Sequence, residues 1–321
     1  MGNNSFLTVD RIEFEVTYRC NSHCKHCQIE QCDRGSQPAA IDKELAIEII
    51  REITRTYSPG SIMTFGGEPL LFPDIVCAIH EAARAGGIEK RQLITNASCP
   101  RSEAGFRKVA FRLADSGVNG IHISVDSFHQ EYIPLDIVER NVQSFVYAGI
   151  HQLKWNPCWV ASKEHDNSWN RRTKDILQAL SHLPVAESSG NIVQPEGSAL
   201  TWLRDFMPPK IPIPGGLCGD MPYTGPLDDV RSISAEPDGR VSVCNEFYIG
   251  NAHESDIIEM LEEYDPYQIP EMKALLEGGV TELARLAFAK GIKADPGGYY
   301  SVCDMCKSIR RELAKPVISA A

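Results

Sequence analysis

Cys20-Asn-Ser-His-Cys24-Lys-His-Cys27 sets three thiols at x3 and x2 spacing, just after an alternating apolar run at residues 12–17. Three cysteines in one loop form an incomplete ligand set. Structural zinc takes four ligands in a closed tetrahedron. A cubane iron–sulfur cluster also takes four, so three thiolates leave one iron open to a further ligand. A second chemistry-bearing run, Phe65-Gly66-Gly67-Glu68-Pro69-Leu70, ends another apolar segment. Its paired glycines let the backbone come close to a ligand, and its carboxylate can receive an ammonium group. A third group is distal: Cys218, Cys244 and the pair Cys303-Asp-Met-Cys306 offer four soft thiolates, suited to zinc or to an iron–sulfur centre.

The elements that must position these residues alternate. Strand-like runs at 11–17, 61–65, 92–96, 120–126, 152–160 and 191–195 are interleaved with helical runs at 43–55, 73–86, 103–116, 137–149 and 168–183. Six β-then-α units predict an α/β fold with a parallel sheet and right-handed crossovers, either doubly wound or curved into a partial barrel. Parity favours the barrel. Glu13, Glu15 and Thr17 share one strand face; so do His122, Ser124 and Asp126, and again Gln152, Lys154, Asn156 and Cys158. A sheet covered on both sides is apolar on both faces, so three strands with a polar face predict a lumen that holds a polar ligand. After residue 200, prolines and glycines crowd 208–216 and break regular structure. Residues 232–235 and 240–243 then flank Glu236-Pro237-Asp238-Gly239, a hairpin signal ending at Cys244. A helical tail follows.

Composition narrows the function classes. The 321 residues suffice for about two domains or one large α/β domain, with 43% hydrophobic and 23% charged residues, ordinary for a globular chain. No secretory signal opens the sequence and no apolar stretch reaches membrane-spanning length, which predicts a cytoplasmic protein without a membrane partner. Eleven cysteines in such a chain read as thiols and metal ligands. A net charge of −11 counts against a nucleic-acid partner.

The cysteine triad with His26 before its last member, and Gly66-Gly67-Glu68-Pro69 one βα unit later, resemble the radical S-adenosylmethionine (radical SAM) enzymes. Thr95-Asn96 and Ser124-x-Asp126 at the third and fourth strands match that pattern as well. The resemblance covers residues 11 to 200 and implies a partial (β/α)6 barrel. It implies that Cys20, Cys24 and Cys27 hold a [4Fe-4S] cluster whose open iron chelates SAM. One-electron reduction then yields a 5′-deoxyadenosyl radical that takes a hydrogen from substrate. His26, Gly66, Gly67, Glu68, Asn96, Ser124, Lys154 and Asn156 are expected to contact SAM on this basis, with an electron donor of flavodoxin or ferredoxin type.

The order Cys218, hairpin, Cys244, helices, Cys303-x-x-Cys306 resembles the twitch (SPASM-like) domain of such enzymes, which holds an auxiliary [4Fe-4S] cluster; zinc is the alternative. The expected division is 1–205 for the barrel and 206–321 for the twitch-like domain, a β-hairpin plus helices. Within this class the tail resembles the bacterial epipeptide epimerases, through Asp238-Gly239, Val243-Cys244, the helices near 270–290 and Tyr300-Ser301-Val302-Cys303-x-x-Cys306, and the Ser124-x-Asp126-x-x-His129 stretch shares that resemblance. Those enzymes place a hydrogen-donating cysteine where this chain has Asn245. Cys99, at the rim after the third strand, and Cys158 are the candidates for that role, and Asp126 and His122 are candidates for a proton acceptor or for a ligand to the SAM ribose. Cys32 and Cys77 read as structural. Glu13 and Glu15 face substrate or pair with Lys154.

The expected activity is modification of a ribosomally made peptide by crosslink, thioether, oxidation or epimerisation. Only nineteen residues precede Cys20, so no leader-recognition domain is expected ahead of it. The alternatives are a radical SAM dehydrogenase or rearranging enzyme acting on a sugar-like small molecule, and a non-catalytic zinc scaffold.

Overall fold

The computed structural model describes residues 4–29, 38–99, 101–219, 224–244 and 247–313. Cys32 and Asn245 lie outside these described residues.

Five parallel strands form the expected core: β1 (Leu7–Thr17), β2 (Ser61–Gly66), β3 (Lys90–Thr95), β4 (Gly120–Ile123) and β5 (Gln152–Trp155), adjacent in that order. The crossovers carry α1 (Lys43–Thr56), α2 (Pro73–Ala85), α3 (Glu103–Ser116) and α4 (Leu135–Tyr147). Local chemistry sets their ends. Asp42, Ser102 and, further on, Asn167 accept from backbone N–H groups at the starts of α1, α3 and α5 (Ser168–Ala179), and each such cap contributes about 1 kcal/mol. Gly117 closes α3 at φ 99°, in the left-handed region that glycine enters freely.

The two faces of β1 behave as parity requires. Ile12, Phe14 and Val16 are fully buried in one cluster with Ile49, Ile50 and Ile53 of α1. Glu13 and Glu15 on the other face are half-buried. That second face continues across the sheet as a polar row. Arg11 pairs with Glu13 and reaches Gln92 at 3.4 Å, and Gln92 meets His122 at 3.3 Å. Glu13 therefore finds its partner in Arg11, its own-strand neighbour, and not in Lys154.

The fifth strand departs from expectation. The run 152–160 is split into β5 and a two-residue β6 (Cys158–Trp159). Between them stands Pro157, which has no N–H to give a central ladder. Gln152 and Lys154 share the β5 face, but Asn156 and Cys158 lie beyond it. The sixth run is β7 (Asn191–Ile192), which pairs with β6 in a separate two-stranded sheet and not with β5. Beside β5 the place is taken by residue Ala186, bridged to Lys154.

Past the short α6 (Ala199–Trp202), the expected hairpin forms as β8 (Val230–Ala235) and β9 (Arg240–Cys244), and a third strand, β10 (Phe247–Asn251), extends it. β8 joins β1 in parallel, so an eight-stranded sheet runs β10-β9-β8-β1-β2-β3-β4-β5. The helices α7 (Ile257–Glu262), α8 (Pro270–Ala289) and α9 (Val302–Leu313) complete the described residues; α8 breaks at Gly278 and Gly279. None of the described helices is long and apolar enough to cross a membrane.

Candidate metal and cofactor site

The candidate site occupies the carboxyl ends of β1 to β5, where open α/β sheets bind ligands. The loop carrying Cys20, Cys24 and Cys27 leaves β1 and is fastened at several points. Gly67 N–H donates to Thr17 O at 2.6 Å and Glu68 N–H to Arg19 O at 2.9 Å. Asn21 Nδ2 donates to Ser98 O at 3.3 Å. Ser198 N–H donates to Cys27 O at 2.9 Å. Tyr18 O–H donates to Glu236 in the hairpin turn at 2.7 Å.

The Gly-Gly-Glu-Pro run meets the chain itself before any ligand. A Cβ on Gly66 would stand 2.5 Å from Thr17 O, and one on Gly67 2.2 Å from Arg19 O. The close approach that two glycines permit is thus made to the backbone leading into Cys20. Glu68 is fully buried. Its carboxylate accepts from Leu70 N–H at 2.9 Å, Thr95 O–H at 2.7 Å and Asn96 N–H at 2.8 Å. Burial pushes its carboxyl up to about 7, against the pull of those three donors. The expected ammonium receptor is therefore first a clamp joining the ends of β2 and β3. Asn96, 5% exposed, donates to Asn21 Oδ1 at 2.9 Å and lies 3.9 Å from Cys20 Sγ. Cys99 is half-buried nearby, its thiol pushed up to about 11 by burial.

A second cluster gathers around Cys24. Asp126 is fully buried and accepts four hydrogen bonds: from Phe128 N–H (2.9 Å), His129 N–H (3.0 Å), His129 Nδ1–H (2.9 Å) and Cys158 N–H (3.0 Å). Burial opposes its ionisation, but the His129 imidazole holds the carboxyl below the usual carboxylate range, with further pull from His26. So occupied, Asp126 orients its neighbours. Replacing it with alanine leaves four donors without their acceptor. Urea unfolding of Asp126→Ala is expected to show a loss of about 3–5 kcal/mol; a loss under about 1 kcal/mol would contradict this role.

His26 packs on Phe128 (ring centroids 4.9 Å) and edge-on to His129 (5.0 Å). Its Nδ1 is buried without a hydrogen-bond partner, and burial lowers its imidazole to about 4. Cys24 and Cys158 are buried in one apolar cluster with Phe128, Val160 and Leu203. Burial and then the Asp126 charge hold the Cys158 thiol well above the usual range. Cys24, His26 and His129 each bring a ligand atom within 4.8 Å of the others. The sequence reading quoted His129 only within the Ser124-x-Asp126-x-x-His129 stretch and gave it no role in the site.

Ser124 and Asn156 are half-buried at the ends of β4 and β5, with backbone N–H groups donating to Thr95 O and Ile123 O. Lys154 is exposed on the polar sheet face beside His122. Burial lowers the His122 imidazole, and Lys154 and Arg11 lower it further. Cys77 is buried in α2.

The distal cysteines sit on elements tied to one another. Cys244 ends β9, and Cys303 and Cys306 lie on the first turns of α9. Ile211 and Tyr299 exchange backbone hydrogen bonds (3.0 and 2.9 Å), which brings the loop before Cys218 alongside the start of α9. The Arg310 guanidinium of α9 covers the Phe247 ring of β10 at 3.7 Å. Burial pushes the Cys218 thiol up to about 11, with Cys244 adding to the shift. Lys307 on α9 pairs with Glu196 at 3.7 Å, next to the Gly197-Ser198 segment packed on Cys27.

The donor chemistry suits a cluster with SAM. Three thiols lie in one fastened loop at the carboxyl ends of a parallel sheet, and a neutral imidazole with an unpartnered nitrogen stands among them.

Residues 14–151 match the Radical SAM superfamily. The GTP 3′,8-cyclase of Pseudomonas fluorescens (strain Pf0-1) is 30% identical over 180 residues, 53% of this chain and 50% of that protein. The GTP 3′,8-cyclase of Listeria monocytogenes serotype 4b (strain CLIP80459) is 25% identical over 191 residues, 56% of each. The chain spans about half the length of the curated relatives it matches. Among solved structures, anSMEcpe with bound AdoMet and Cp18Cys peptide aligns with TM-score 0.54 at 13% identity, over 95% of this chain and 96% of that one. Streptococcus suis SuiB bound to S-adenosylmethionine aligns with TM-score 0.50 at 14% identity, over 80% and 66%. At such identity the likeness is one of fold. The cysteine triad, the sheet that presents it and these matches agree: residues 14–151 are similar to the Radical SAM superfamily, on an α/β fold with a parallel sheet like that of a partial barrel.

Proposed function

We propose that the chain is a radical SAM enzyme in which Cys20, Cys24 and Cys27 hold a [4Fe-4S] cluster and the ends of β1 to β5 hold SAM. When bound and reduced, that pair supplies a 5′-deoxyadenosyl radical for hydrogen abstraction. The chain's own residues do the positioning. The Gly66-Gly67-Glu68 clamp fixes the loop before Cys20, Asp126 orients His129, and the apolar cluster of Phe128, Val160 and Leu203 excludes water around Cys24. His26, Ser124, Asn96, Lys154 and Asn156 are assigned to the SAM side of the site, with Gly66 and Gly67 contributing backbone groups and Glu68 acting through Thr95 and Asn96. Cys99 and Cys158 both keep protonated thiols, the form that can return a hydrogen atom. In this reading Asp126 is a positioning residue and not the proton acceptor.

Residues 206–321 are assigned to a twitch-like unit in which Cys218, Cys244, Cys303 and Cys306 hold an auxiliary cluster. Its support is the tying of the Cys218 and Cys244 segments to α9 and its start, where Cys303 and Cys306 lie. The substrate reading is a ribosomally made peptide, supported by the likeness of the tail to peptide-modifying enzymes. A second reading, a sugar-like small molecule, is favoured by the polar row of Arg11, Gln92 and His122 on the sheet and by the GTP 3′,8-cyclase relatives. A flavodoxin- or ferredoxin-type protein is the proposed reductant.

The observation that carries the proposal is the fastened three-thiol loop at the sheet's carboxyl edge. Anaerobic reconstitution followed by iron counting and dithionite-driven SAM cleavage tests it. We expect about eight irons in the wild type and about four in the Cys20/Cys24/Cys27 triple alanine variant, with 5′-deoxyadenosine from the wild type alone. A filled triad without SAM cleavage would overturn the proposal, and an iron-free triple variant would remove the auxiliary cluster from it.

A further inference from the structure

His129, His26 and Cys24 come from two separate segments, yet their ligand atoms gather within 4.8 Å of one another. Each is prepared for a metal. Asp126 Oδ2 accepts from His129 Nδ1–H at 2.9 Å, which leaves Nε2 as the His129 nitrogen open to a metal. A carboxylate behind a metal-binding histidine fixes ring and tautomer in this way. The buried His26 Nδ1 has no hydrogen-bond partner, an arrangement that costs free energy in a bare protein. Cys24 supplies a sulfur, 5% exposed, inside an apolar cluster. One thiolate and two imidazoles suit zinc and neighbouring divalent ions.

We propose that the cluster-free chain binds one divalent ion of the zinc and ferrous class through Cys24, His26 and His129, with Asp126 behind His129 and water as the fourth ligand. Metal bonds of about 2.3 Å to sulfur and about 2.0–2.1 Å to nitrogen place tetrahedral ligands about 3.3–3.6 Å apart. Side-chain rotations of about 1 Å close the group to that geometry. Cys24 gives up a proton on binding, as metal-bound thiols do. Where Cys24 is a cluster ligand, as proposed above, the ion and the cluster exclude each other, and the loop has two metal states distinguished by whether His26 and His129 are engaged. That competition rests on the proposed function; binding of the ion does not.

Cobalt(II) is the probe, titrated anaerobically into the metal-free full-length chain and compared with the His26→Ala/His129→Ala double variant. The wild type is expected to bind one cobalt equivalent more. The difference spectrum should carry thiolate-to-cobalt charge transfer and the d–d bands of a tetrahedral ion. A Cys20→Ala/Cys27→Ala variant should keep that equivalent, and Asp126→Asn should weaken it about 10–100-fold. His129→Asn, whose amide can still donate to Asp126, replaces the double variant if circular dichroism shows the latter unfolded. Equal cobalt stoichiometry and spectra in wild type and histidine variants would overturn the site, as would loss of the extra equivalent in the Cys20/Cys27 variant. Zinc-preloaded wild type should take up about four fewer irons on reconstitution. Normal uptake would overturn the exclusion, whereas cobalt binding as expected without SAM cleavage would sink only the proposed enzymatic function.

Discussion

Cys24→Ala, reconstituted anaerobically, is expected to produce no 5′-deoxyadenosine above background. Cys24 lies midway in the three-thiol loop, and its removal leaves two thiolates for a cubane that needs at least three from the protein to keep a single open iron. The side chain sits in a small apolar cluster with Phe128, Cys158 and Val160. Removing one sulfur there costs about 1 kcal/mol of packing, which a folded domain of this size tolerates. The lost activity would then be chemical and not structural. Chromatographic quantification of 5′-deoxyadenosine, alongside circular dichroism of the same preparation, separates the two. Sustained SAM cleavage by a variant shown to lack the triad cluster would sink the mechanism.

Gly67→Ala should be among the most damaging single-methyl additions in the protein. Its Cβ would stand 2.2 Å from Arg19 O, 2.6 Å from Arg19 C and 2.8 Å from Tyr18 O. All three are backbone atoms, with no flexible end to move aside. To relieve the overlap the end of β2 must separate from the loop before Cys20. That breaks the hydrogen bonds of Gly67 to Thr17 and of Glu68 to Arg19, and it disturbs the buried Glu68 clamp. A loss of about 3–5 kcal/mol is expected by denaturant unfolding, together with a fall in iron bound by the triad. Gly215→Ala is the control, since nothing lies within 4 Å of the added methyl; it should change stability by less than about 0.5 kcal/mol. Equal behaviour of the two variants would show that the glycine pair does not hold the loop.

Much of this architecture was legible in local sequence. Helical periodicity located α1, α2 and α3 almost to their ends, because spacing, capping residues and terminal glycines act over a few positions; the run 168–183 overran α5 by four residues. The turn Glu236-Pro237-Asp238-Gly239 identified β8 and β9 for the same reason. The cysteine triad was readable because ligand count is a property of residue type. The fifth strand was misread because alternation continued through Pro157, and the ladder donor that proline lacks was not weighed there.

Long-range pairing decided the rest. No local feature of β8 specifies that it joins β1 in parallel and ties the tail to the barrel. Glu68 has the composition of a ligand-binding carboxylate; only burial, with Thr95 and Asn96 as donors, makes it a clamp. His129 became part of the site only when Asp126, buried beyond β4, turned its ring toward Cys24 and His26. Residue types and spacing thus determined which chemistry the chain can attempt and where its strands and helices lie. Tertiary structure decided which polar groups are consumed in holding the loop and which stay available to a metal, because burial and hydrogen-bond partnership depend on residues distant in sequence.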